Sequence, residues 1–566
     1  NRPSDAVEML AYYNRDQYGS NSILYGKMYT EQFAGLDPEN PYFDGQPNYD
    51  RDYEKKKYVV VNHYEKSIQN LDDAHKGLLP RMWSPDNASN YMAYTGVPQF
   101  RIDPSLSSEE GYEELVQVVA EFRSAYNSGR LDGDDYITFL KTYGNFLIVE
   151  RPTFAQNLGF MVNFQFNYMY FRYLMWNFSG RQNDEQGKGD MLDGNWITGI
   201  TFIDNLLLYN QENLPSDVAN HKSRNVYYLI PFLLALIGIL YQSSKDKRNF
   251  YILGILFLFT GIALKVYLNE RPFEPRERDY AVVGSFYIFA MWIGFGVYAI
   301  FDTLRKFVPS KAVGFSVLGL TLLGAPVLMA VQNWDDHDRS GKYTALANAK
   351  AYLDSCDQNA ILFTIGDNDT FPLWYAQEIE NYRTDVRIVN TQLLMTDWYI
   401  DQMKSQAYES DPLPISLDKE HYKADRLEYV FYDKRTDGRW RLEDLITFLK
   451  DGGADKKITL RNGEQIPFYP TDKVRLRVDK DAVIQNKVVS EKFNDSIVPF
   501  INIDIKSSSL YKNRIVMLDI ISQNNWKRPI CFTGGSFTDE DYIWLKDYLQ
   551  LDGLVYKFVP IRNAIK

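Results

Sequence analysis

Residues 250–301 read FYILGILFLFTGIALKVYLNERPFEPRERDYAVVGSFYIFAMWIGFGVYAIF. Two apolar runs, 250–268 and 280–301, are separated by the charged loop Arg271-Pro-Phe-Glu-Pro-Arg-Glu-Arg-Asp279. Two further runs, 226–241 and 313–331, flank this pair. Crossing about 30 Å of hydrocarbon takes roughly 20 mostly apolar residues, with about 17 a workable minimum. The last three runs meet that length and the first is marginal. Four buried helices of a soluble protein would be shorter and more amphipathic. The pattern therefore predicts a membrane protein with an α-helical block of about four spans.

Averages hide this block. The 566 residues are 24% charged, and the mean hydropathy is −0.36, so much of the chain must be polar and extramembrane. A net charge of −12 argues against nucleic acid, which needs concentrated Lys and Arg. The 42 Tyr and 10 Trp suit membrane–water interfaces and carbohydrate or protein contact surfaces. Two cysteines, Cys356 and Cys531, could pair in an oxidising compartment but exclude a disulfide-dependent fold.

The sequence divides into four regions. Residues 1–152 are a polar α+β extramembrane region, with a strand expected over 58–64 and helices over 113–126 and 135–146. Residues 153–224 begin with the aromatic-rich stretch 153–179, interrupted by Asn157, Asn163, Gln165, Asn167 and Arg172. It reads as an interfacial helix of an aromatic belt, with an aromatic core the open alternative. Residues 225–333 are the transmembrane block. Residues 334–566 are an α/β extramembrane domain: strands over 361–365, 386–394, 529–533 and 555–560 alternate with helices over 344–353, 371–380, 397–403, 514–522 and 540–549. That order suggests a parallel sheet with crossover helices. Lys245, Lys247 and Arg248 follow the first run, and Arg305, Lys306 and Lys311 the third. The positive-inside rule makes those loops cytoplasmic and puts every large polar region on the opposite side. Lys265, the one ionisable residue inside a run, is near enough to its end to snorkel. So little intramembrane charge disfavours a transporter.

Nucleotide-binding, HExxH, GxSxG and paired CxxC patterns are missing, and the five histidines show no metal spacing. Three clusters remain. In the loop, Arg271, Arg276 and Arg278 could clamp a phosphate bidentately, with Glu274, Glu277 and Asp279 fixing them; a self-paired solvated turn is the alternative. Asp335, Asp336, His337 and Asp338 follow the fourth run and could hold a divalent metal, or start a helix whose positive end suits acids. Asp367 and Asp369, in Gly366-Asp367-Asn368-Asp369-Thr370, sit at the carboxyl end of the first strand of the α/β domain, where ligands favour open sheets. A metal is possible chemistry there too, but a helix cap by Asp369 or Thr370 is the preferred reading. A divalent metal is thus the one cofactor these clusters admit.

Several motifs occur together in order: Asn1-Arg2-Pro3-Ser4-Asp5, Tyr13–Gly19, Arg172–Phe178, Gly180-Arg181-Gln182-Asn183-Asp184, Glu274–Tyr280, Asn333–Arg339 and Gly366–Leu373. The sequence resembles a family of bacterial inner-membrane proteins grouped with protein O-mannosyltransferase-like glycosyltransferases of the GT-C type. What the resemblance implies is a multi-span enzyme that moves a sugar from a polyprenyl-phosphate donor to an envelope protein or glycan. Its polar domains would lie on the periplasmic side. The family's catalytic acid lies in an early external loop with no counterpart here, so no catalytic residue is carried over. The alternative is a non-catalytic, membrane-anchored binding or assembly protein of the cell envelope.

Overall fold

The structure, a computed structural model, describes residues 6–14, 22–52, 55–187, 189–274, 278–423, 426–459, 465–534 and 538–562. Two compact units divide the chain: Ser20–Asp37 with Leu71–Ser340, and Asn1–Gly19 with Pro38–Asn70 and Gly341–Lys566. The polar amino-terminal region is therefore shared between units, and the aromatic segment belongs with the apolar helices.

In the first of these units, among the described residues, three helices are long and apolar enough to cross a membrane: Lys247–Leu268, Tyr280–Leu304 and Ser310–His337. The run expected as the first span forms Ile230–Lys245, 16 residues. At 1.5 Å per residue this gives about 24 Å, short of a hydrocarbon core. It starts after Leu229 in the left-handed region, with Pro231 in its first turn, and stops at Asp246. The Asp246 side chain accepts from Asn249 N at 3.2 Å and so starts the next helix.

Small residues let two of these helices touch backbone to backbone. A Cβ on Gly238 would collide with the Trp292 carbonyl oxygen, and one on Gly296 with that of Leu234. Close approach at glycines is how helices associate where lipid removes the hydrophobic incentive. Trp292 Nε1 adds a bond to Gln242 Oε1 at 2.8 Å. Pro326 lies in a π turn, Leu323–Val327, within the Ser310–His337 helix, because its ring and missing N–H break the regular ladder.

The aromatic stretch is one helix in three parts: Phe154–Phe160, the π segment Met161–Phe171, and Arg172–Phe178. Thr153 and Gln156 close a capping box at its start. Phe160 and Phe164 pack with Tyr29 and Tyr91 of the polar lobe. Leu174 and Phe178 pack with Ala235, Phe289 and Trp292 of the apolar helices. Tyr170 is fully buried, and its hydroxyl lies 2.5 Å from Ser285 Oγ. Part of the stretch is thus an aromatic core, while Phe154, Val162 and Phe171 stay exposed on it. The lobe beside it contains the expected helices as Tyr112–Asn127 and Gly133–Tyr143.

The other unit holds a five-stranded sheet: β1 Ile361–Thr364, β2 Arg387–Asn390, β3 Ile530–Thr533, β4 Leu549–Asp552 and β5 Val555–Phe558, in the order β2-β1-β3-β5-β4. β1 is parallel to β2 and β3, and β3–β5–β4 is antiparallel. The sheet is mixed, where the alternation suggested all-parallel pairing. Strands β1, β2 and β3 are buried at every position, as hydrophobic runs covered on both faces should be. The helix expected over 540–549 does not form. Tyr542, Ile543, Trp544 and Leu545 are all buried, four in succession, which one helical face cannot provide. Ile543 and Trp544 take positive φ instead, and β4 follows, turning at Gly553 into β5. Cys356 and Cys531 are free thiols, both buried.

Candidate functional site

The charged loop begins where the Lys247–Leu268 helix ends, at Asn269 in the left-handed region. Four side chains clamp that end. Arg81, fully buried, donates through Nη1 to Val266 O at 2.6 Å and through Nη2 to Ile23 O at 3.1 Å. Asn269 Nδ2 donates to Pro80 O at 2.8 Å, and Gln165 Nε2 donates to Asn269 Oδ1 at 2.9 Å. Trp83 Nε1 donates to Asn269 O at 3.1 Å. The bonds to Val266 O and Asn269 O satisfy carbonyls that a helix terminus leaves open, and those to Ile23 O and Pro80 O tie the end to the Ile23 and Pro80 backbone.

Lys265 does not snorkel. Its side chain is 1% exposed and its Nζ lies 2.7 Å from Glu270 Oε2. Glu270 Oε1 has no hydrogen-bond partner. Burial raises the Glu270 carboxyl above its usual range, with the Lys265 charge opposing the shift.

Beyond Glu270, Glu274 gathers two guanidiniums. Arg271 Nε donates to its Oε1 at 3.0 Å, while Arg278 Nη2 stays 3.8 Å from Oε2, too long for a hydrogen bond. Arg271 also lies over the Trp83 ring at 5.7 Å. Gln186 Nε2 donates to Glu274 O at 2.8 Å, so the 180–194 loop is tied to the charged loop. Tyr168 from the π segment donates to Gly187 O, and Arg172 Nη1 to Gly194 O at 2.8 Å. Between them lies a cavity lined by Tyr168, Gln186, Glu270, Arg271, Glu274 and Arg278 among others, with a free volume of about 10 Å³. One water needs about that much. Of the expected loop residues, Arg271, Glu274 and Arg278 come together here. Arg276 and Glu277 lie outside the described residues, as does the Asp279 side chain. Glu270, Gln186 and Tyr168 were not singled out in the sequence. Glu270 had a signal, being the acid next to Arg271, but its burial does not show in a sequence.

The Asp335–Asp338 cluster ends a helix, Leu328–His337, and does not begin one. Its acids therefore sit at the negative end, and the reading as a helix start fails. Asp336 Oδ2 accepts from Arg181 Nη2 at 2.5 Å and from Asn225 Nδ2 at 2.7 Å. Asp335 Oδ1 accepts from Asp336 N at 3.1 Å, and Asp338 Oδ1 from Ser340 N at 2.8 Å. His337 Nδ1 lies 2.9 Å from Asn333 O. Asp336 is thus a pairing acid that fastens the helix end to Arg181 and Asn225. Among the described residues, the grouping whose ligand atoms fall within 4.8 Å of one another is instead Asp184, Glu185 and His221. There Ser223 Oγ donates to Asp184 Oδ1 at 2.6 Å and lies 2.8 Å from His221 Nδ1. The Ser223 hydroxyl is the main reason the Asp184 carboxyl lies below its usual range.

In the α/β unit the helix after β1 runs Gly366–Glu378 and has no side-chain cap, so neither Asp369 nor Thr370 caps it. Thr370 is buried in its second turn, 2.7 Å from Thr364 Oγ1, and accepts from Asn390 Nδ2 at 3.0 Å. Asp369 Oδ2 accepts from Thr533 Oγ1 at 2.9 Å, which ties the helix to β3. Asp367 is exposed in the first turn, where the helix dipole favours an acid.

Two family matches cover parts of the chain. Residues 345–566 match TMEM260-associated domain 2, and residues 19–162 match a family of unknown function, DUF8416. No curated protein and no solved structure matches. The charged loop and the apolar helices fall between the two matched segments.

Proposed function

We propose that the protein is a membrane glycosyltransferase, or the accessory half of one, drawing a sugar from a polyprenyl-phosphate donor on the periplasmic side of a bacterial inner membrane. One observation carries this reading: Arg271 and Arg278 converge on Glu274 at the end of an apolar helix, beside an aromatic wall. As the sugar leaves, negative charge grows on the lipid phosphate, and fixed guanidiniums at the bilayer surface stabilise it. Arg278, with its side chain 54% exposed and only loosely paired, is free to turn from Glu274 to a phosphate. Tyr168, half-buried at the cavity wall, offers its ring to the sugar or the first isoprene units. The sequence resemblance supports the same donor, and the match of 345–566 to TMEM260-associated domain 2 leaves the α/β unit as the place for an acceptor protein or glycan. In this arrangement the Ile230–Lys245 helix and the three longer ones make four spans, with loops 245–248 and 305–311 cytoplasmic.

Replacing Arg271 and Arg278 together with alanine in the complete protein is expected to lower glycan transfer to envelope acceptors about 100-fold, the scale for removing fixed donors at a developing oxyanion. Unchanged transfer at a normal membrane level of the variant defeats the arginine role. The small size of the cavity, with room for one water, favours the second reading, a non-catalytic envelope binding or assembly protein. In that case transfer persists without the α/β unit and the unit captures a partner instead.

A further inference from the structure

The apolar stretch just before the first short membrane-type helix has no role in the site above. It forms a helix, Thr201–Leu207, on a rigid mount. Asp204 is buried and accepts from Thr198 N at 2.7 Å, Thr198 Oγ1 at 2.8 Å and Gly199 N at 2.8 Å. Thr198 O in turn accepts from Tyr228 N at 3.1 Å, two residues before Ile230. Gly199 is pressed so closely on Val226 that a Cβ there would lie 2.8 Å from the Val226 Cβ. The segment is thereby fixed at the level where the Ile230–Lys245 helix begins.

From that mount Phe202 and Leu206 stand 75% and 74% exposed. Spaced i, i+4, they share one face of the helix. Tyr228, Ile230 and Leu233 are also exposed, so the apolar surface runs from the short helix onto the side of Ile230–Lys245. That surface meets lipid wherever the neighbouring long helices cross. We propose that Thr201–Leu207 is a membrane-dipping helix, with Phe202 and Leu206 buried in the headgroup–acyl boundary of the leaflet. Interfacial helices sit about 5–10 Å into that zone. This placement also serves the 16-residue helix beside it, which is about 6 Å short of the hydrocarbon thickness. A neighbouring apolar wedge covers such a mismatch at the rim.

A nitroxide at Leu206→Cys in the full chain, reconstituted in phosphatidylcholine–phosphatidylglycerol vesicles, tests this. Cys356 and Cys531 are buried and free, so the parent chain gives the background, and Phe202→Cys repeats the reading on the same face. The expected result is collision with oxygen several-fold above collision with a water-soluble nickel chelate, and the reverse at Glu110→Cys in the polar lobe. A label at 206 that meets the chelate as freely as the control overturns the proposal. So does one shielded from both reagents, since a protein surface would then cover the helix.

Discussion

Lys265 and Glu270 show what one buried ion pair does at the mouth of the loop. With side chains 1% and 7% exposed, each depends on the other for its charge. Glu270→Gln leaves an ammonium buried without its counter-charge and is expected to cost about 3–5 kcal/mol. Lys265→Met with Glu270→Met removes both charges and is expected to be neutral or stabilising by about 1–4 kcal/mol. Denaturant unfolding of the purified protein separates these outcomes, and equal losses in both variants would contradict the pairing. His75 gives a pH test. It is buried with Nδ1 3.0 Å from Thr30 Oγ1, and burial holds its pKa below the usual value. The unfolded residue gains a proton below about pH 6.5 while the folded one resists. Its stabilising contribution is therefore full above that pH and is lost as pH falls toward the depressed value. His75→Asn should flatten the acid side of the melting-temperature profile between pH 7.5 and 5.5. At this scale the sequence showed which residues carry charge in an apolar setting. It could not show that Lys265 turns inward or that Gln186, from 88 residues away, fastens Glu274, because both depend on tertiary packing.

Among elements, the helix pair Ile230–Lys245 and Val283–Leu304 depends on Gly238 and Gly296. Valine at either position forces the backbones apart and is expected to cost about 1–3 kcal/mol or more, read as a lower melting temperature in detergent. Alanine at Gly254, where nothing lies within 4 Å of the added carbon, is the matched control and should change little. Apolar length made these helices legible, since a run of such residues has few other readings. The aromatic helix was ambiguous because Asn157, Gln165 and Arg172 break its apolar pattern. Each turns out to be buried and bonded to backbone or side chains of neighbouring segments. The stretch 540–549 misled for the opposite reason, having helical spacing but four adjacent inward residues. The start of the Gly366–Glu378 helix was placed too late because Asp369 and Thr370 resemble a cap, when Thr370 is a buried cross-link to Asn390.

At the scale of the molecule, three membrane-length helices among the described residues and mixed α/β structure outside them bear out hydropathy and alternation only coarsely, since the run expected as the first span is a 16-residue helix and the sheet is mixed. The membership of the units did not follow from composition, because Pro38–Asn70 joins the unit built mainly from Gly341–Lys566 through contacts distant in sequence. The central claim is that the loop after Leu268 receives a lipid phosphate. Binding of a polyprenyl phosphate to the full protein in nanodiscs, followed by native mass spectrometry, tests it most directly. The wild type should retain one lipid through buffer exchange, and Arg271→Ala with Arg278→Ala should lose it at least 10-fold, with an uncharged polyprenol retained equally by both. Equal retention of the phosphate by wild type and variant would contradict the account.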